Sequence, residues 1–343
     1  MRTFYSETHR LHHSKAELND GHLMPSFEMP SRADMVLDRV KHTNLGQILE
    51  PDDFGLAPLT RAHCEPYVEF LSQAWERWAS LGREHDMLPL AWPPRRTLSR
   101  CPEDIDGQLG FYSFDAGAPM TAGTWQAAYY SAQVALSAQA CIARGDKAAF
   151  ALCRPPGHHA GIDYMGGYCY LNNAAIAAQA ALDAGASRVA VLDVDFHHGN
   201  GTQDIFYQRP DVLFTSLHGD PRREYPCFTG YADERGEGAG LGFNFNYPLP
   251  PGSHWATWSL ALSDAMRIIA GYQPDMLIIS LGVDTFKDDP ISSFKLDSDD
   301  YLRLGEQLAL LGLPTLFVME GGYAVEEIGI NAVNVLTAFD ALR

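Results

Sequence analysis

A chain of 343 residues carrying 43 Asp+Glu against 25 Lys+Arg has a formal net charge of −18. A protein that neutralises phosphates needs clustered Lys and Arg, and no basic run of five or more occurs, so the balance argues against nucleic acid and fits a cationic ligand. With 46% hydrophobic and 11% aromatic residues the chain has the apolar mass for a large core, which excludes disorder as its main state.

At the N-terminus, residues 1–20 break into charge and histidine within a few positions, so no secretory signal is expected. No apolar run approaches the roughly 18 residues of a membrane helix either, and the chain reads as a soluble, cytoplasmic protein. His9, His12 and His13 are candidate metal ligands, with a solvated loop as the plainer reading. Residues 80–120 are rich in Pro, Arg and Asp without clean periodicity and read as a long surface insertion, functional or interfacial in character. From residue 122 the pattern alternates. Helices are predicted over Thr124–Ala143, Asn172–Ala184, Trp255–Ala270 and Tyr301–Leu311, the last behind Ser298 and Asp299. Between and after them lie AAFALCR, VAVLDVDF, VLFTSLHG, MLIISLGVD and TLFVMEGG, the near-continuous apolar runs of strands buried on both faces. Repeated strand-then-helix order predicts an α/β fold with a parallel sheet between two helical layers. Length alone would allow two domains, but no linker or repeat interrupts the chain, so one domain over residues 1–343 is expected. The six cysteines, Cys64, Cys101, Cys141, Cys153, Cys169 and Cys227, show no CxxC pairing and are expected to be reduced thiols without a cysteine metal site.

Polar residues collect at the C-terminal ends of these apolar runs, where open α/β sheets place ligands. In LDVDFHHGNGTQD, strand alternation puts Asp193, Asp195 and His197 on one face, either as half a metal site or as buried polar groups satisfied by helix N-termini. Asp284, after LIISLGV, is expected at the same rim. Alone it is a candidate helix cap; with Asp195 and His197 it completes an Asp₂His set whose open position suits a catalytic metal, Zn²⁺ or else Fe(II), Mn²⁺ or Co²⁺. CRPPGHHAG presents His158 and His159 on a rigid loop beside that set as candidates for proton transfer. Gly321-Gly322 gives the loop carrying Tyr323 the freedom to aim that side chain into a cleft, although GGY by itself also fits an ordinary turn.

Together, RPPGHHAG, GGYCYLNNAAIAA, LDVDFHHGNGTQDIF, SLHGD, SLGVDTF and EGGY resemble the histone deacetylase superfamily in order and approximate spacing, and within it the bacterial acetylpolyamine amidohydrolases. The resemblance implies an arginase-deacetylase fold, a three-layer αβα sandwich on a parallel sheet of about eight strands, and hydrolysis of an N-acetyl amide at one metal ion. It implies Asp195, His197 and Asp284 as metal ligands, His159 as general base and then acid, and Tyr323 as donor to the carbonyl and oxyanion. His158 would be the electrostatic partner held by Asp193, and Asn200 would hold His159 where many members have Asp. It further implies a K⁺ site at Asp193, Asp195, His197, Ser216 and Leu217, with a weaker match to a second at Phe206, Arg209, Val212 and Phe243. Gly167, Tyr168 and Tyr225 would border the substrate tunnel, and Asp106 would face the cationic chain. The 80–120 insertion resembles a segment through which relatives form homodimers. The expected substrate is a small acetylated polyamine; the alternatives are an acetyl-lysine deacetylase with the same mechanism, an arginase-like binuclear hydrolase, and a non-catalytic binder of acetylated amines.

Overall fold

The computed structural model describes residues 1–19, 21–94 and 99–343. Strand β1 (Arg2–Phe4) is followed by a small antiparallel hairpin, β2 (Glu17–Asn19) and β3 (His22–Met24). Helix α1 (Ser31–Thr43), β4 (Ile48–Leu49), α2 (Glu65–Ser80) and α3 (Ile105–Phe111) lead to α4 (Thr124–Ala143) and β5 (Ala148–Ala151). Then α5 (Asn173–Asp183), β6 (Val189–Asp193), α6 (Asn200–Phe206), β7 (Val212–Gly219), β8 (Asn244–Leu249) and α7 (Trp255–Tyr272) follow. The chain closes with β9 (Met276–Leu281), α8 (Ser298–Ala309), β10 (Thr315–Met319) and α9 (Val325–Leu342).

Eight strands form one sheet in the order β4-β1-β5-β10-β9-β6-β7-β8, every pairing parallel. The apolar runs are explained by burial on both faces. Along β5, Ala148 and Phe150 join one core while Ala149 and Ala151 join the other, and β10 divides Phe317 and Met319 from Leu316 and Val318 in the same way. Removing each such large side chain from water contributes roughly 1.5–3 kcal/mol.

Two features of the topology position the chemistry. Because all strands of this sheet run the same way, their C-terminal ends share one edge. The chain also passes from β5 to β6 across two positions that β10 and β9 fill later, so the ends of β5, β10, β9, β6 and β7 stand side by side.

The predicted surface insertion is more deeply packed than its composition suggested. Met87, Ile105, Leu109, Tyr112, Ala118 and Met120 are buried in a third core with α2, and Met87 and Met120 pair as an isolated bridge. Apolar residues without periodicity still find a core when each anchors a separate turn. Likewise His9 and His12 do not lie in a solvated loop: both are buried, His9 against the Tyr5 hydroxyl at 2.9 Å and His12 against that of Thr124 at 2.9 Å. All six cysteines are unbridged.

Candidate active site

The strand β6 stops at Asp193, so the shared-face argument for Asp193, Asp195 and His197 reaches beyond the strand that was to carry it. A different device gathers them. The N–H of Asp195 donates to Asp193 Oδ1 (3.1 Å) and that of His197 to Asp195 Oδ1 (2.8 Å), so each carboxylate turns the chain two residues onward. Two further bonds knit this turn to neighbouring strand ends: Phe196 N–H to Asp284 Oδ1 at 2.8 Å, and Gly321 N–H to Asp195 Oδ2 at 2.8 Å. Glycine is required at Gly321, since a Cβ there would lie 2.5 Å from Asp195 Oδ2 and 2.6 Å from Asp284 Oδ2.

The result is a buried set in which ligand atoms of Asp195, His197 and Asp284 all lie within 4.8 Å of one another. His197 Nδ1 is 3.0 Å from Asp284 Oδ2 and 3.4 Å from Asp195 Oδ1. Two buried carboxylates this close repel unless something positive lies between them. Burial and Asp195 push the Asp284 carboxyl up to about 7, while the two carboxylates outweigh burial and push His197 up to about 10. Oxygen and imidazole donors with the aspartates held by backbone N–H groups fit one divalent metal. His158, Cys169 and Glu320 form another buried set within 4.8 Å, but Glu320 Oε2 is already taken by the N–H groups of Gly157 (2.7 Å) and His158 (3.1 Å), which pins the histidine loop.

The adjacent histidines meet different partners. His158 Nδ1 lies 2.9 Å from Asp193 Oδ2; burial would lower this imidazole, but Asp195 and Asp193 raise it well above its ordinary value, so it is cationic. His159 Nδ1 donates to the amide oxygen of Asn200 at 2.6 Å, and burial, together with His158 and His197, drives it well below its ordinary value. His159 is therefore neutral, with Nε2 carrying a free lone pair. One imidazole stores positive charge while its neighbour is a base.

Tyr323 follows β10 and is 7% exposed. Its N–H and that of Ala324 donate to Asp289 Oδ2 at 2.7 and 3.2 Å. Arg32 lies over its ring, 4.6 Å from the centroid, and donates to the carbonyls of Gly322 and Glu320, both at 2.6 Å. Arg32 and Arg154 both pair with buried Glu28. Burial raises the Tyr323 hydroxyl well above its ordinary value, keeping it a donor.

A cavity of about 550 Å³ opens onto these groups, lined by His159, His197, Tyr323, Gly167, Tyr168 and Tyr225 and also by Phe114, Asp115, Glu17 and Trp92. Gly167 is confined by its conformation (φ +52°) and by space, since a Cβ would lie 2.4 Å from the His159 ring. Asp106 is not among the lining residues; Arg83 grips both its oxygens at 2.6 and 2.8 Å. Ser216 and Leu217 lie on β7, with Ser216 in register with Asp193. Arg209 of the second expected cation set is paired with Asp211 at 2.7 Å. Glu17, Phe114, Asp115, Glu28, Arg32 and Asp289 escaped the sequence reading.

Comparison with known proteins gives this geometry relatives. The sequence profile of the histone deacetylase domain matches residues 26–339. Acetylpolyamine amidohydrolase 2 of Pseudomonas aeruginosa is 67% identical over 343 residues, covering all of both chains. The acetylpolyamine amidohydrolase of Mycoplana ramosa is 51% identical over 336 residues, 98% of each. A crystal structure of acetylpolyamine aminohydrolase from Burkholderia pseudomallei superposes with a TM-score of 0.95 at 42% identity, covering 100% of this chain and 99% of that one. The chain belongs to the histone deacetylase domain family, on the arginase-deacetylase fold.

Proposed function

We propose that this chain is a metal-dependent deacetylase that hydrolyses the N-acetyl amide of acetylated polyamines to free amine and acetate. One observation carries the reading: His159, His197 and Tyr323 line a single cavity at the Asp195–His197–Asp284 set, and His158 packs against the His159 ring at 4.1 Å. Those three residues would hold Zn²⁺, with Fe(II), Mn²⁺ or Co²⁺ also compatible with the donors; when bound, the ion supplies Lewis-acid polarisation of the acetyl carbonyl and acidifies water.

The remaining steps belong to the chain. His159 Nε2 takes the proton from the attacking water, and the Nδ1–H bond to Asn200 keeps that lone pair turned to the cavity. Tyr323 donates to the carbonyl oxygen and holds it more strongly as the oxyanion develops. His158, fixed by Asp193, lends its positive charge without giving up its proton. His159 then returns its proton to the leaving amine. The tyrosines and Phe114 exclude water from the slender chain behind the amide.

Relatives named for acetylpolyamines align over essentially the whole chain at 51 and 67% identity, which favours polyamines over acetyl-lysine. In this reading a structural K⁺ ion sits at Asp193, Asp195, His197, Ser216 and Leu217. The chain works as a cytoplasmic homodimer through the segment around residues 80–120, where Leu90 (85%) and Trp92 (42%) are exposed and Trp92 borders the cavity, and residues 1–343 act as one domain. Removing metal with a chelator should abolish turnover of N-acetylputrescine, and one equivalent of Zn²⁺ or Co²⁺ per chain should restore it. Activity that survives complete metal removal, or a requirement for two equivalents, counts against the mechanism.

A further inference from the structure

The withdrawal of Asp106 leaves open what a cationic chain meets inside the tunnel. Among the described residues that line the cavity there is no lysine or arginine, but there are two carboxylates, Glu17 and Asp115. They come from unrelated parts of the chain, the N-terminal hairpin and the 80–120 segment, and each holds the hydroxyl of a wall tyrosine. Tyr168 Oη donates to Glu17 Oε1 at 3.0 Å, and Tyr225 Oη donates to Asp115 Oδ2. Each acid is otherwise fixed by the protein. Glu17 Oε2 accepts from Ser26 Oγ (3.1 Å) and Phe27 N–H (3.2 Å), and Asp115 accepts from the N–H groups of Gly117 (2.9 Å) and Gly167 (3.1 Å). Space is kept for this arrangement: a Cβ on Gly117 would lie 2.9 Å from Asp115 Oδ2. The backbone bears a cost for it too, since Tyr168 adopts φ 66°, a left-handed conformation costly for a bulky residue.

The pairs share a physical logic. A hydroxyl that gives its proton to a carboxylate turns its oxygen lone pairs outward as an acceptor, and the anion behind makes that oxygen more negative. A cation on an alkyl chain thus meets phenol oxygens on two walls, backed by negative charge in a cleft of low polarity, while its methylenes lie against Phe114 and Tyr225, whose rings stack at 5.9 Å. We propose that the Tyr168–Glu17 and Tyr225–Asp115 pairs are the specificity determinants for a cationic amine chain, and that Asp106, neutralised by Arg83, is not. This assignment rests on the deacetylase reading above.

The test compares kcat/KM for N-acetylputrescine with that for N-butylacetamide, a neutral amide of similar length, in the metal-loaded wild type and in Glu17→Gln, Asp115→Asn and Asp106→Asn. The cationic-to-neutral ratio should fall about tenfold in each of the first two variants and stay at the wild-type value in the third. An unchanged ratio in Glu17→Gln and Asp115→Asn, or an equal fall in Asp106→Asn, overturns the assignment. A purely structural role would instead lower both substrates together and leave the ratio alone. Should the carboxamide variants fail to fold, Tyr168→Phe and Tyr225→Phe must lower the ratio in the same way, and an unchanged ratio there overturns the proposal equally. A wild type that hydrolyses neither amide removes the deacetylase reading itself, a result distinct from turnover of both with unaltered selectivity.

Discussion

His158 and His159 are neighbours in sequence, and their rings lie 4.1 Å apart, yet they shift in opposite directions: Asp195 and Asp193 raise His158, while burial, His158 and His197 lower His159. His158 is backed by the Asp193 carboxyl group and His159 by the Asn200 amide; with two imidazoles in contact only one accommodates a proton, and the carboxyl group favours it on His158. Tyr323 completes the trio with a hydroxyl that burial keeps protonated. Tyr323→Phe should fold with an unchanged melting temperature while kcat drops on the order of 10²–10³-fold, the usual loss for one oxyanion donor. Near-native turnover by the folded variant would exclude that role.

The strand-end loops carry these residues, and buried ions hold the loops. Glu28 lies between Arg32 and Arg154, and Arg32 in turn grips the Glu320 and Gly322 carbonyls beneath Tyr323. Burial alone would raise the Glu28 carboxyl, but the two guanidinium groups bring it below its ordinary value. Glu28→Gln leaves two buried arginines facing a neutral amide and should cost about 3–5 kcal/mol, read as a lower urea midpoint. A loss below about 1 kcal/mol would mean that the arginines find other partners. At this scale the sequence was informative where burial is two-sided. The runs that became β5, β6, β7, β9 and β10 were visible because they are near-continuously apolar, and α4 was bounded correctly at Thr124 and Ala143. The shorter strands β1 and β4 left no such signal, and neither did α1, whose polar face hides its periodicity. The Asp195–His197 register was read as strand alternation, whereas a carboxylate-stabilised turn produces the same proximity. Glu17 and Asp115 were invisible because their meaning depends on tyrosines about 150 and 110 residues away.

Over the whole molecule, charge and burial act on different processes. The −18 net charge draws cations toward the protein but does not choose among them. Burial sets the response to acid. His9, His12, His63 and His218 are each pushed down to about 4, chiefly by desolvation. Unfolded histidines titrate near about 6.5, so between those values the unfolded chain binds more protons than the native one. The stability these neutral imidazoles provide is complete above about pH 6.5 and is lost as pH falls toward 4. Urea midpoints should therefore decline steadily through that window, and a flat profile would show that the histidines are not held neutral.

The most direct measurement is a comparison of kcat/KM for N-acetylputrescine, N-acetylspermine and an acetyl-lysine peptide by the zinc-loaded enzyme. At least one acetylpolyamine should be hydrolysed about tenfold or more faster than the peptide, because a slender cationic chain fits between Tyr168 and Tyr225. Faster turnover of the peptide than of every acetylpolyamine would contradict that order.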